Sequence, residues 1–331
     1  MDSVDSQIWS ERWRLAALES QDLIRIGLVS VMAGLAFILF HLQGNTNDIN
    51  IYGRSVVEWM LSRWRDPAAF GGLDYSHGFL IPIVSIGVLW WKRKEIAEMP
   101  KAVSRIGLAV VVIALMLHWM GVKSQQPRVS LFSLLMLFWG VPFYFYGWEL
   151  AKLLMFPCAY LIFCIPLNFL DSLTFPLRIF STIVSASVLN GLGIEAARSG
   201  SAIYSTAAGG FNFDVADPCS GIRSLLAMTA LTAVYAYATQ KTVIKKWVLF
   251  LSSIPLAIIG NIARIVTIAL VAEAFGQKVA TGLYHDYSGY IFFPVAIGLM
   301  VGIGSLLNVN YRQAWNQWKQ NLLSPTSSLS A

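Results

Sequence analysis

Eight stretches of this chain are apolar over lengths that match a lipid bilayer, and that fact limits its fold more than any other. They run approximately over 23–42, 76–91, 106–122, 130–147, 151–168, 219–239, 247–269 and 288–309. A hydrocarbon core of about 30 Å takes roughly 20 apolar residues as helix. Backbone polar groups find no water there, so each stretch is expected as a helix that bonds to itself. Charged residues make up only 13% of the 331, against about 25% in soluble domains. The expected fold is therefore an all-α integral membrane protein with about eight transmembrane helices. No repeat of about 20–50 residues runs along the chain, so solenoid and inverted-repeat transporter folds have no support.

Lysine and arginine placement sets the expected sidedness. The N-terminal tail, "WKRKEIAEMPKAVSR", "WELAK", "QKTVIKKW" and the C-terminal tail together hold 14 of the 24 basic residues. Those segments are assigned to the cytoplasm, with both termini. This divides the chain into a cytoplasmic tail over 1–22, a membrane domain over 23–311 and a C-terminal tail over 312–331, the last partly disordered. "MDSVDSQIWSERWRLAALESQD" mixes acids and bases and reads as a tail, not a cleavable signal. The net charge of +6 does not point to nucleic acid, because the cations flank apolar runs and form no polar basic block.

One stretch departs from this pattern. "FNFDVADPCSGIRSL", residues 211–225, interrupts the apolar sequence with two aspartates, a proline and a cysteine, then starts a helix. Asp217 suits the N-cap and Pro218 the first helical position, with Cys219 and Ser220 following in the first turn. Unpaired backbone N–H groups and the helix dipole lower a thiol pKa there. Arg223, one turn on, adds positive charge, while Asp214 and Asp217 oppose it unless Asp217 is engaged as the cap. Cys158 and Cys164 lie inside an apolar run and read as packing residues.

Cys219 opens the sixth stretch at its outer, non-cytoplasmic end. Arg264, in "GNIARIVTIAL", lies about 27 Å along the ascending seventh helix, near the same surface. His285, in "GLYHDYSGYIFF", precedes the eighth. A buried guanidinium is costly in a membrane, so Arg264 is a functional candidate by default. Asn261 shares its helix face and is placed to orient it. His285, beside Asp286, suits proton transfer near neutral pH. Structural readings remain open beside these: a small buried cysteine, an arginine snorkelling to headgroups, interfacial histidines. His41, His77 and His118 also fall at outer span ends. No histidine pair has the spacing that strengthens a zinc reading, and neither metal nor cofactor is expected.

Between the fifth and sixth stretches, "FPLRIFSTIVSASVLNGLG" has the pattern of an interfacial amphipathic helix. "SAIYSTAAGGFNFDVAD" alternates and turns at Gly209-Gly210, as a β-hairpin does. Both are expected on the periplasmic side. The hairpin reads either as a strand that pairs with an extended peptide or as a lid that only packs over the helices.

The ordered motifs "DYSHGFLIPIVSIGVLWWKRK", "LIFCIPLNFLDSLTFPLRIFSTIVSASVLNGLGI", "PCSGIRSL" and "NIAR", with a late histidine, resemble the exosortase/archaeosortase family of membrane cysteine transpeptidases. The resemblance covers roughly residues 70–305. It implies a catalytic triad of Cys219, Arg264 and His285; Ser220, Arg223, Asn261, Asp217 and His77 are expected, from their positions, as supporting or substrate-binding residues. Pro218 stands where members commonly carry alanine. The resemblance also implies protein substrates ending in a Pro-Glu-Pro-type motif, a transmembrane helix and a basic cluster. Their acceptor is tied to lipid or polysaccharide and to exopolysaccharide production, at the inner membrane of a Gram-negative bacterium with the active site facing the periplasm. No further domain is expected after the last span. Two other readings stand beside this one: a membrane cysteine endopeptidase that only hydrolyses, and a non-enzymatic transporter that binds an anion at Arg264.

Overall fold

The computed structural model describes residues 23–24, 27–45, 49–66, 75–100, 102–167, 169–207, 210–214, 222–280, 282, 285–309, 315–316 and 319. The chain divides into two compact units, Met1–Asn168 and Phe169–Ala331.

The first unit contains α1 (Gly27–Leu42), α2 (Val56–Arg65), α3 (Ser76–Trp91), α4 (Arg105–Lys123) and α5 (Pro127–Tyr160). Ser55 caps α2: its hydroxyl accepts from the Glu58 N–H at 3.0 Å and pairs with His41 Nδ1 of α1 at 2.9 Å. The first turn of α3 is a tight 3-10 turn, Ser76–Phe79. Within it Gly78 lies under the Trp64 indole, where a Cβ would come within 2.5 Å of the ring nitrogen. Trp64 Nε1 in turn donates to the Cys164 carbonyl at 2.8 Å. Tyr75 accepts from the Leu167 N–H at 2.9 Å, and burial pushes its phenol pKa up, so it stays neutral.

Two of the expected segments share α5, and the reversal expected at "WELAK" falls at the residue before it, without a loop. A single residue breaks the helix instead. Gly147 has φ 84° and ψ −172°, a conformation essentially reserved for glycine. The break frees nearby carbonyls, and Ser104 N–H donates to that of Tyr144 at 2.9 Å. The two arms fold back on each other. Arg128 Nε near the start of α5 donates to the Pro166 carbonyl beyond its end at 2.8 Å, although a straight helix would separate them by about 57 Å. The second arm stops short of the expected end at 168, because Ile165 precedes a proline and takes an extended conformation, φ −80° and ψ 124°.

The second unit contains α6 (Phe169–Gly191), β1 (Ala196–Ser199), β2 (Ala202–Ser205), β3 (Asn212–Asp214), α7 (Ile222–Thr239), α8 (Val243–Phe275) and α9 (His285–Asn308). The strands form an antiparallel meander in the order β1-β2-β3, with Ala197 opposite Tyr204 and Ile203 opposite Phe213. The expected hairpin is β2–β3. The first strand adds to it through a two-residue turn, Gly200-Ser201, a hairpin signal that was legible in the sequence. Helix α6 is amphipathic with its small polar side inward: Ser181, Thr182 and Ser185 are buried, whereas Phe175, Phe180 and Ile183 are exposed. Small residues permit close helix approach in a membrane, and the outward apolar side suits lipid.

Among the described residues, four helices are long and apolar enough to cross a membrane: Arg105–Lys123, Pro127–Cys164, Val243–Phe275 and Ile291–Asn308. Three more, Gly27–Leu42, Ser76–Trp91 and Leu225–Thr239, are apolar but shorter. Each of the eight expected segments overlaps one of these seven, two of them on the bent α5.

Candidate active site

The candidate residues of the second unit sit on α7, α8 and α9 or directly before α7. These helices share a core of Met228, Ala236, Leu249, Leu256, Ala296 and Met300. Polar contacts fix their register. The Thr232 hydroxyl meets Met300 Sδ at 3.1 Å, and Gln240 Nε2 donates to the Gly304 carbonyl at 3.2 Å. Helices α7 and α9 therefore run parallel, and α8, joined to α7 by three residues, returns antiparallel to both. Gly304 packs against Tyr235 and Leu249, which gives one common level. From there α7 climbs about 20 Å to Ile222, α8 about 23 Å to Arg264 and α9 about 29 Å to His285. One end of the bundle gathers all three.

Cys219, Ser220 and Asp217 lie outside the described residues. Cys219 stands three residues before Ile222 in sequence. Arg223 falls in the first turn of α7, and His285 is the first residue of α9. His77 belongs to the first unit, where its ring stacks on Tyr75 at 5.6 Å and both ring nitrogens are enclosed.

Arg264 is half-buried on α8. Below it, the Thr267 hydroxyl donates to the carbonyls of Ala263 at 2.7 Å and Arg264 at 3.0 Å, which ties up that turn of backbone. Asn261, one turn before Arg264, is 6% exposed, and its Oδ1 is buried with no donor among the described residues. An unsatisfied buried acceptor costs about 1–3 kcal/mol, so an asparagine kept in that state marks a place where something other than packing sets the residue.

The meander sits at this same end. Ile203 of β2 and Phe211 pack in one cluster with Ile265, Ile268, Ala269 and Ala272 of α8 and Leu189 of α6. At the outer edge of β3, the Gln277 side chain takes the part of a neighbouring strand. Its amide donates to the Asn212 carbonyl, and its Oε1 accepts from the Asn212 N–H at 3.3 Å. Gln277 was not legible as a site residue, because its partner is 65 positions away. Among the described residues, no three of His, Cys, Asp and Glu converge as metal ligands would. Cys164 is buried and Cys158 half-buried, both free.

The family model for transmembrane exosortases matches residues 64–302, an interval that begins in α2 and ends in α9. The chain belongs to the transmembrane exosortase family. Membership places it among multi-pass membrane transpeptidases and proteases that act on proteins bearing sorting signals. The match takes in both compact units, so the family's shared sequence includes the first unit as well as the helices around Arg264. Comparisons with curated proteins and with solved structures give no significant match.

Proposed function

We propose that this protein is an exosortase-type cysteine transpeptidase that cleaves the C-terminal sorting signal of secreted proteins and passes them to an acceptor. The observation that carries this reading is that Ile222, Arg264 and His285 lie toward the same end of the α7–α9 bundle, with Cys219 three residues from Ile222 in sequence.

In the proposed reaction the Cys219 thiolate attacks the scissile carbonyl carbon. The carbonyl electrons move onto oxygen, and Arg264 stabilises that oxyanion. The tetrahedral species collapses to a thioester as the C–N bond breaks, and His285 gives its proton to the departing amine. His285 then takes a proton from the acceptor nucleophile, which attacks the thioester and releases the thiolate. In this reading Asp217 is assigned the N-cap role ahead of Cys219; Ser220 and Arg223 add donors and positive charge, and Asn261 orients Arg264. His77 contributes to substrate binding.

The sorting signal, a Pro-Glu-Pro-type motif with a transmembrane helix and basic cluster, comes to this chain through its family. The edge of the β-meander offers a rung for an extended peptide at Asn212, where the Gln277 amide already stands in for one. The reading includes a membrane domain over 23–311 in the inner membrane with eight passes, cytoplasmic termini and a periplasmic site.

The test is co-expression with a tagged protein carrying such a signal, scored by gel shift for wild type, Cys219→Ser, Arg264→Ala and His285→Ala. Processing is expected only with the wild type, while all four proteins accumulate in the membrane. Processing by Cys219→Ser would sink the thioester. Mass analysis of the product separates transfer, which leaves an adduct on the new C-terminus, from hydrolysis, which leaves a free carboxylate.

A further inference from the structure

We propose that Gln277 is a displaceable latch: its side-chain amide holds the place that one peptide unit of an extended substrate takes on the edge of β3, and the substrate binds by pushing it aside. The inference rests on the catalytic reading only in naming that peptide as the substrate.

The ladder fixes which groups of β3 face outward. The Ser205 N–H of β2 donates to the Phe211 carbonyl at 2.8 Å, and Tyr204 stands opposite Asn212. Hydrogen-bonded and non-hydrogen-bonded pairs alternate along an antiparallel ladder. Asn212 therefore belongs to a non-hydrogen-bonded pair, with its N–H and C=O turned away from β2. Asp214, two residues on and opposite Ala202, presents its own pair on the same side. Among the described residues β3 is an outer strand of the meander, so this edge is where a further strand adds.

Gln277 fills one rung of that edge. Its amide nitrogen donates to the Asn212 carbonyl, and its Oε1 accepts from the Asn212 N–H at 3.3 Å. A primary amide offers the same donor and acceptor as a peptide unit, and it offers them once. The side chain is brought there by Gly276, which ends α8 with φ 85° and ψ 155°, a conformation essentially reserved for glycine. Asn212 and Gln277 are both exposed, so water reaches the two bonds and each adds little net stability. An extended peptide makes the same two bonds and gains a second rung at Asp214. Without a peptide, the latch covers an edge that would otherwise pair with other chains.

The rung is remote from the chemistry. Helix α8 rises about 16 Å from Arg264 to Phe275, its last residue. That distance takes at least about five residues of extended peptide. The latch therefore acts on capture of the substrate and leaves bond breaking alone.

The test uses the purified full-length chain in neutral detergent, as wild type and Gln277→Ala. The probe is a fluorescent hexapeptide of alternating threonine and valine, residues that favour the extended form. A counterpart N-methylated at every residue keeps the side chains and loses the N–H donors. Gln277→Ala is expected to bind the hexapeptide about three- to tenfold more tightly than wild type, as the loss of one or two competing hydrogen bonds allows. The N-methylated peptide is expected to bind neither protein. With the tagged substrate, the same variant should lower KM by a similar factor and leave kcat unchanged. Equal Kd for the two proteins overturns the latch, and so does a hexapeptide that binds neither. Equal binding of the N-methylated peptide overturns main-chain pairing on the wild type alone, whether or not the variant folds. A lower Tm with unchanged Kd makes Gln277 a structural stitch and overturns the latch as well. A wild type that processes no substrate removes the catalytic reading, and the Kd comparison still decides the latch.

Discussion

At the scale of single residues, the informative feature around Arg264 is the cost carried next to it. Asn261 is buried, and its Oδ1 has no donor among the described residues, so packing alone would favour an apolar side chain there. Asn261→Leu is expected to leave Tm unchanged or raise it by the equivalent of about 1 kcal/mol, since the unsatisfied group disappears. Processing of a co-expressed substrate should fall about tenfold as Arg264 loses its orienting neighbour. A gel-shift time course beside a melting curve checks both halves. Loss of stability together with activity would make Asn261 a packing residue. The candidate residues stood out in the sequence, because a cysteine beside a proline and an arginine in an apolar stretch are both anomalous in a membrane chain.

At the scale of elements, α5 shows how one residue replaces a loop. Its second arm returns to Arg128 only because Gly147 adopts φ 84° with ψ −172°. A Cβ at that position would also meet the Ala102 carbonyl oxygen at 2.7 Å. Gly147→Ala is therefore expected to destabilise the protein by about 1–3 kcal/mol, seen as a lower Tm and reduced membrane accumulation. A variant with wild-type Tm would mean that the arms reverse by another route. The hydropathy pattern located the two arms but not the form of their junction. The carbonyls freed at the break are met by the segment before α4, some 40 residues earlier in the chain. Strand β1 is a comparable case, since its four residues "AARS" alternate too weakly to read as a strand by themselves, although the Gly200-Ser201 turn marks the hairpin.

At the scale of the whole molecule, the proposed sidedness follows from lysine and arginine in short loops. Alkaline phosphatase fused after Gln125, between α4 and α5, is expected to be active, and fused after Glu98 or Gln240 to be inactive. The opposite pattern would put the Arg264 end of α8 in the cytoplasm and remove the periplasmic site. By itself the sequence determined that the chain is helical and membrane-embedded, because matching a bilayer is a requirement each segment meets with its own residues. It also brought Cys219, Arg264 and His285 into consideration together, because each is out of place in an apolar setting. Only the tertiary structure decided the break in α5, the Gln277 rung on β3 and the inward polar side of α6. Each of these depends on groups far apart in the chain meeting at hydrogen-bond or van der Waals distance, and no local pattern encodes such a meeting.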